Sequence, residues 1–213
     1  MRRRVFAALV TAALLGVSAA FAQSVTPLDR YLEGLSSWQA EFAQTVVDSR
    51  GKQQVADTGR FLVRRPGQFR WETGASAGSA ATQVMVADGR NLWFYDRDLE
   101  QVTVKPARTA LTATPAMLLV GGVNLREHFD ITQLPRSLGL EWVAVKPRGA
   151  DAEFRAARLG FSGNDLRRME IEDKLGQKTT LVFSKTQRNA ALPADTFSFQ
   201  SPPGADVIGT PVP

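Results

Sequence analysis

The strongest constraint on this chain is an alternation of apolar and polar residues that recurs along most of its length. In the first such run Trp38, Ala40, Phe42 and Val46 alternate with polar or small residues. Successive side chains of a strand point to opposite faces, so this period of two predicts a half-buried strand. Similar runs occupy residues 55–63, 68–72, 82–87, 91–95, 99–105, 140–145, 154–161, 166–173 and 178–184. The chain is therefore predicted to be mostly β.

Short turn sequences join these runs. Residues 48–51 and 175–177 contain turn formers, and Asp88-Gly89 is the strongest hairpin signal in the chain. Strands that follow one another through tight turns pair in an antiparallel way. We predict one long antiparallel sheet, curled so that it covers its own apolar face.

Short helices are predicted to cover the opening of this sheet. The first begins at Pro27, with Thr26 as its N-cap, and the segment 109–111 is weakly helical. Another, over residues 116–120, has Thr114 as its cap and is apolar on every side. A fourth is expected over residues 125–129. We expect the apolar helix to act as a lid over a cavity that binds an apolar ligand.

Residues 1–22 have the pattern of a cleavable signal peptide. Three arginines precede an apolar run over residues 5–17, and Ala20-Phe21-Ala22 forms a cleavage site. An uncleaved anchor helix is the alternative, but a span needs ~20 strongly apolar residues and this run is mainly alanine. We expect a mature domain over residues 23–213, located in the periplasm.

The composition argues against several classes of protein. Of the 26 basic residues three lie in the predicted signal peptide, which leaves 23 against 21 acidic ones and no indication of nucleic-acid binding. The chain has no Cys and one histidine, His128, so no zinc site, no Cys/His nucleophile and no other cofactor is expected. Without Cys the mature protein also has no residue that accepts the acyl chains of a lipoprotein.

One motif suggests an enzyme. Residues 74–78 match the G-x-S-x-G pattern, which makes Ser76 a candidate nucleophile with His128 as its base. That turn needs a helix after it, whereas a strand pattern follows here, so we favour a loop and expect no catalysis. Glu170 and Glu172, near Arg168, are better explained as a salt-bridge ladder on a strand than as catalytic carboxylates.

Large aromatic residues recur at the alternating positions: Trp38, Phe42, Phe61, Phe69, Trp71 and Trp93. They are compatible with a filled core or with a cavity wall, and the apolar segment 116–120 favours the cavity. Phe69 follows the interruption at Pro66-Gly67, which predicts a place near the cavity mouth.

Five segments resemble the LolA family, the outer-membrane lipoprotein carrier proteins. They are LSSWQAEF (35–42), VRRPGQFRW (63–71), DGRNLWFYD (88–96), TPAMLL (114–119) and FSFQSPPG (197–204). The resemblance implies an incomplete, strongly curved antiparallel β-barrel, a half-barrel with a short-helix lid over an apolar cavity. It further implies a periplasmic chaperone that takes acylated lipoproteins from the inner-membrane Lol ABC transporter to the outer-membrane receptor LolB.

The resemblance also implies the role of particular residues. Arg65 is expected inside the barrel mouth, closing the lid by donating to backbone carbonyls near Leu32, Leu119 or Val120. Parity supports this, because Arg65 shares a strand face with Phe61, whereas Arg64 lies on the other face. The residues expected to line the cavity and mouth are Phe42, Phe61, Phe69, Trp71, Met117 and Leu118.

A general periplasmic binder of lipids or fatty acids is the alternative function, since it uses the same kind of apolar half-barrel. In either case the apolar surface points inward, so we expect a monomer.

Overall fold

The computed structural model describes residues 25–74, 80–110, 116–121, 124–150 and 152–213. These residues form one sheet of twelve strands, four α-helices and a 3-10 helix over Ala194–Phe197. The strands are β1 (Ser37–Val47), β2 (Gln53–Arg64), β3 (Gln68–Thr73), β4 (Gln83–Asp88), β5 (Asn91–Asp96), β6 (Gln101–Pro106), β7 (Phe129–Ser137), β8 (Leu140–Pro147), β9 (Phe154–Ser162), β10 (Asp165–Asp173), β11 (Lys178–Arg188) and β12 (Asp206–Ile208). The helices are α1 (Pro27–Leu32), α2 (Ala107–Ala110), α3 (Met117–Val120) and α4 (Leu125–His128).

The strands lie side by side in the order β12-β6-β5-β4-β3-β2-β1-β11-β10-β9-β8-β7. Neighbouring strands are antiparallel, except that β12 runs parallel to β6. The two outer strands, β12 and β7, do not pair with each other within the described residues. The sheet is therefore open, as the sequence predicted.

The sheet is also strongly curled. Strands β6 and β9 are eight positions apart in the sheet order. At about 4.8 Å per strand, a flat sheet would separate them by ~38 Å. Yet Lys105 of β6 and Glu153, just before β9, line the same cleft. The two halves of the sheet face each other, which confirms the predicted half-barrel.

The concave face carries the main core. Trp38 and Phe42 of β1 and Phe61 and Val63 of β2 are each at most 2% exposed. Buried residues of β4, β5 and β7–β11, together with α1 and α3, complete one continuous apolar cluster. The predicted alternation along β1 and β2 is confirmed by this burial.

The convex face carries a second apolar cluster under the C-terminal segment. Val86, Trp93 and Val104 are paired across β4, β5 and β6, so they share one face. Phe199 stacks on Trp93, with ring centroids 5.4 Å apart. The grouping of Trp93 with the cavity aromatics is therefore wrong, because the hairpin register turns its neighbour Leu92 to the concave side.

Two strands have no predictive pattern in the sequence, and both lie at an edge of the sheet. Strand β7 exposes most of its side chains and contains Pro135, which only an edge strand tolerates. Strand β12 has three exposed residues that pair with Gln101–Thr103 of β6. Edge strands bury little apolar surface, so they need no alternating pattern.

The helices lie where the sequence predicted them, but α3 is more deeply buried than a lid would be. Thr26 and Asp29 form a capping box at the start of α1. Thr114 and Pro115 lie outside the described residues, and the described part of the predicted lid is α3, whose four residues are at most 3% exposed. The helix α3 thus fills the concave face and is part of the core.

Candidate functional site

Arg65 lies between the two helices that cover the concave face. Its Nη1 donates to the carbonyl of Leu32, at the end of α1, over 3.0 Å. The backbone N–H of Arg65 donates to the carbonyl of Ser36 over 2.8 Å, which anchors the arginine below α1. Burial lowers the pKa of Arg65 from its ordinary value, but a guanidinium stays protonated in proteins and keeps its donors. The predicted contact with Leu32 is present.

On the α3 side the arginine acts by packing. The carbonyl of Val120 accepts from the backbone N–H of Gly67, over 3.3 Å. Within the described residues Arg65 donates to neither Leu119 nor Val120, so Leu32 is the one of the three predicted acceptors that it uses.

Gly121 makes the close approach of Arg65 possible. Its φ is +72°, a conformation that favours glycine. A Cβ at this position would lie 2.6 Å from Nη2 of Arg65 and 2.9 Å from its Cζ. The guanidinium therefore packs directly on the backbone at the end of α3 and joins α3 to α1.

A second arginine, which the sequence did not reveal, holds α1 from the other side. Arg188, at the end of β11, donates to the carbonyls of Tyr31 over 2.7 Å and Glu33 over 3.3 Å. Its guanidinium also lies over the Tyr31 ring, 5.0 Å from the centroid. The neighbouring Asn189 donates to the carbonyl of Gly34 and accepts from the N–H of Ser36. The open carbonyls at the end of α1 are thus satisfied by side chains of the sheet.

Ion pairs fix the start of α1. Arg126 of α4 binds Asp29 through Nη1 and Nη2, each of which donates to a carboxylate oxygen over 2.9 Å. Burial alone would raise the pKa of Asp29, but hydrogen bonds from Arg126 and Thr26 outweigh it and lower the pKa. Arg30 pairs with Glu141 of β8 over 2.9 Å. These pairs tie α1 to α4 and β8, and Arg65 ties it to the end of β2.

The predicted cavity residues belong to one apolar cluster on the concave face. The rings of Phe42 and Trp71 have centroids 4.4 Å apart, and Phe61 lies 4.9 Å from Trp71. Met117 and Leu118 of α3 belong to the same cluster. In this closed arrangement the side chains pack against one another, so the concave face is filled where α3 covers it.

Phe69, predicted to lie near the cavity mouth, is a buried core residue in the structure. Phe69 is 0% exposed and packs edge-on against Phe61, with centroids 5.9 Å apart. Phe69 is the second residue of β3, and its pairing partner on β2 is Val63, which is also buried, so the ring belongs to the concave core.

An open cleft continues the concave face beyond α3. It measures about 510 Å³ and is lined by Met85, Leu92, Phe94, Thr103, Lys105, Thr109, Ala110 and Glu153. Met85 and Leu92 also contact the main core. The floor is apolar, and Lys105 and Glu153 stand at the rim. The volume is in the range of small-molecule sites.

The described residues contain little that resembles an enzyme site. Ser76 lies outside them, and residues 80–88 lead into strand β4 and not into the helix that a nucleophile elbow needs. His128 is exposed at the end of α4. No group of three or more potential metal ligands occurs in the part of the chain that the structure describes.

The carboxylates of β10 form the predicted ladder. Glu170 pairs with Arg168 over 2.8 Å and with Arg158 over 3.2 Å, and Glu172 pairs with Arg155. All three arginines are at least 32% exposed. Their charges are neutralised at the surface, as a structural ladder requires.

Comparison with known proteins identifies the family. Residues 33–200 match the model of the outer membrane lipoprotein carrier protein LolA. The chain belongs to the LolA family. The outer-membrane lipoprotein carrier protein of Dechloromonas aromatica is 40% identical over 190 residues, which cover 89% of each chain. That of Chromobacterium violaceum is 39% identical over 205 residues, covering 95% of this chain and 97% of its own.

A solved structure supports the same fold. An uncharacterised conserved protein from Thermus thermophilus superposes with a TM-score of 0.51 at 18% identity, over 85% of this chain and 96% of its own. Among the described residues of this LolA-family chain, no helix is long and apolar enough to cross a membrane.

Proposed function

We propose that this LolA-family protein is a periplasmic chaperone that binds the acyl chains of lipoproteins released from the inner membrane and delivers them to the outer membrane. The donor would be the inner-membrane Lol ABC transporter and the acceptor the receptor LolB. The protein would act as a monomer and without catalysis, since its apolar face is turned inward.

The observation that carries the proposal is an apolar concave face covered by two short helices. The sheet does not close, and the concave face is capped by α1 and α3, of six and four residues. Helices this short are not stable by themselves. Side-chain hydrogen bonds from Arg65 and Arg188 to backbone carbonyls hold α1 at the core, and α3 is held by the backbone bond from Gly67 to Val120 and by the packing of Arg65 on Gly121. Such bonds can be broken and remade without unfolding the sheet.

The energetics of the cargo require this arrangement. Exposing an acyl chain to water costs ~0.8 kcal/mol per CH₂, so an acylated protein cannot cross an aqueous space without an apolar enclosure. Release must also be possible. A cover held by a few hydrogen bonds keeps the closed and loaded states close in free energy, which permits uptake and handover.

Residues 1–22 are proposed to be a signal peptide that is removed on export. The mature protein would then begin at Gln23. Intact-mass measurement on protein purified from the periplasm tests this, and a mass that retains residues before Ala22 would show that the segment is not cleaved there.

The rival function is general binding of lipids or fatty acids. Native purification from periplasm followed by mass spectrometry separates the two. Acylated proteins in stoichiometric amounts support the carrier, whereas free fatty acid or phospholipid alone supports the rival. A transfer assay with purified lipoprotein and LolB-containing membranes then tests delivery.

A further inference from the structure

Two hydrogen-bond donors are buried without a partner beneath α1. They are Tyr31 Oη and Trp38 Nε1, and neither finds an acceptor among the described residues. Tyr31 is 0% and Trp38 1% exposed. Buried donors are nearly always satisfied, so an orphaned pair at one place requires an explanation.

Two other indole donors of the chain are satisfied. Trp93 Nε1 donates to Asp88 over 2.8 Å, and Trp142 Nε1 donates to the carbonyl of Ser137 over 2.9 Å. The indole N–H of Trp38 thus lacks the acceptor that two tryptophans of the same sheet have. Burial raises the pKa of Tyr31 above its ordinary value, so the phenol keeps its proton and remains a donor.

Tyr31 lies where the apolar core meets the guanidinium of Arg188, and Trp38 packs beside it. The rings of Tyr31 and Trp38 are 6.4 Å apart and nearly perpendicular. Phe161, Phe61 and Phe183 surround them at 5.2 to 5.7 Å and supply no acceptor. Arg188 lies over Tyr31, and Arg65 bonds to the next residue of α1. We therefore expect a bound ligand to supply the acceptor, at a site directly below α1, the helix that Arg65 and Arg188 hold.

The chemistry of the cargo supplies such an acceptor. Hydrocarbon tails have none, but each tail of a lipoprotein is attached through an ester or amide carbonyl at its polar end. If the tails lie in the core, these carbonyls lie at its polar edge. We propose that Tyr31 Oη and Trp38 Nε1 donate to acyl carbonyl oxygens of the bound lipoprotein, and so favour acylated ligands over plain alkyl chains. This inference rests on the carrier function proposed above.

The test compares synthetic lipopeptides that differ only in these carbonyls. One carries two palmitoyl esters on a glyceryl-cysteine, and a second carries the matching dialkyl ethers. A third keeps the ethers and adds an N-palmitoyl amide, and a fourth carries an N-hexadecyl group in place of that amide, so that the number of tails is matched in each comparison. Affinities are measured with the mature chain by displacement of a fluorescent fatty acid. We expect the native protein to prefer a carbonyl-bearing ligand by about 5-fold for each hydrogen bond.

Tyr31→Phe and Trp38→Phe should each reduce this preference, and the double variant should abolish it. The controls are Tyr95→Phe and Trp93→Phe, the same changes on the convex face, which should keep it. Tyr31→Phe should also leave the free energy of unfolding undiminished, because the hydroxyl it removes has no partner. If the double variant does not fold, Tyr31→Phe alone tests the preference.

The outcomes separate the two proposals. Loss of preference for the ester or for the amide supports the inference and identifies which carbonyl is bound. An equal preference in the native and variant proteins, or none in the native protein, overturns the inference alone. If the native protein binds no lipopeptide, the carrier function is wrong and the inference with it.

Discussion

Arg65→Leu should shift the protein toward its open state and block delivery more than uptake. The substitution removes the hydrogen bond from Nη1 to the Leu32 carbonyl, 3.0 Å long, and the packing of the guanidinium on Gly121. Helix α1 keeps its bonds from Arg188, so we expect opening without unfolding of the sheet.

The size of the effect follows from the lost contacts. A hydrogen bond from a charged donor is worth ~1.5–3 kcal/mol. A change of ~2 kcal/mol moves the ratio of open to closed protein by about 30-fold. The empty closed state then competes less with the loaded state, so cargo is held more tightly and passed on more slowly.

The assay measures both half-reactions with a purified lipoprotein: uptake from inner-membrane vesicles and transfer to LolB. Arg64→Leu is the matched control, because Arg64 lies on the opposite face and donates to the carbonyls of Leu192 and Pro193. Arg65→Leu should retain uptake and lose transfer, and Arg64→Leu should retain both. If Arg65→Leu transfers as well as the native protein, the closing role of Arg65 is refuted.

Three further predictions concern Phe69, Gly121 and Glu72. Phe69→Ala removes a ring that is 0% exposed, so urea denaturation should show a loss of ~3–5 kcal/mol; a negligible loss would mean that the ring is not part of the core. Gly121→Ala should increase hydrogen exchange in α1 as Arg65→Leu does, with little added effect in the double variant, because its Cβ displaces the same guanidinium; additive effects would argue against a shared contact. Burial raises the pKa of Glu72, but hydrogen bonds from Arg70 and Arg60 outweigh it and lower the pKa. The stability that Glu72 contributes is therefore present above the ordinary glutamate pKa of about 4.3 and lost as the pH falls through the lower folded value. Glu72→Gln should remove part of this acid sensitivity in melting curves, and an unchanged pH profile would contradict the assignment.

Much of the fold was accessible from the sequence because it depends on local pattern. The alternation around Trp38 and Phe42 predicted β1, and Asp88-Gly89 predicted the hairpin of β4 and β5. Thr26 and Pro27 predicted the start of α1. The edge strands β7 and β12 escaped prediction, since a strand that buries little surface carries no such pattern.

The candidate site was predicted only in part. Parity along β2 placed Arg65 on the concave face, and its bond to Leu32 is present. Arg188 lies far from α1 in the sequence, and no local feature distinguishes it from the other surface arginines. Its role exists only because β11 pairs with β1 and places its end under the helix.

The sequence by itself determined which residues alternate, where the chain turns and which segments are apolar, because those properties depend on neighbours within a few positions. The tertiary structure decided which side of each hairpin faces the core, and so separated Trp93 from Leu92. It also decided that Phe69 is buried and that Tyr31 and Trp38 lack acceptors among the described residues. Burial and hydrogen bonding depend on strands distant in the chain, which only the curl of the sheet brings together.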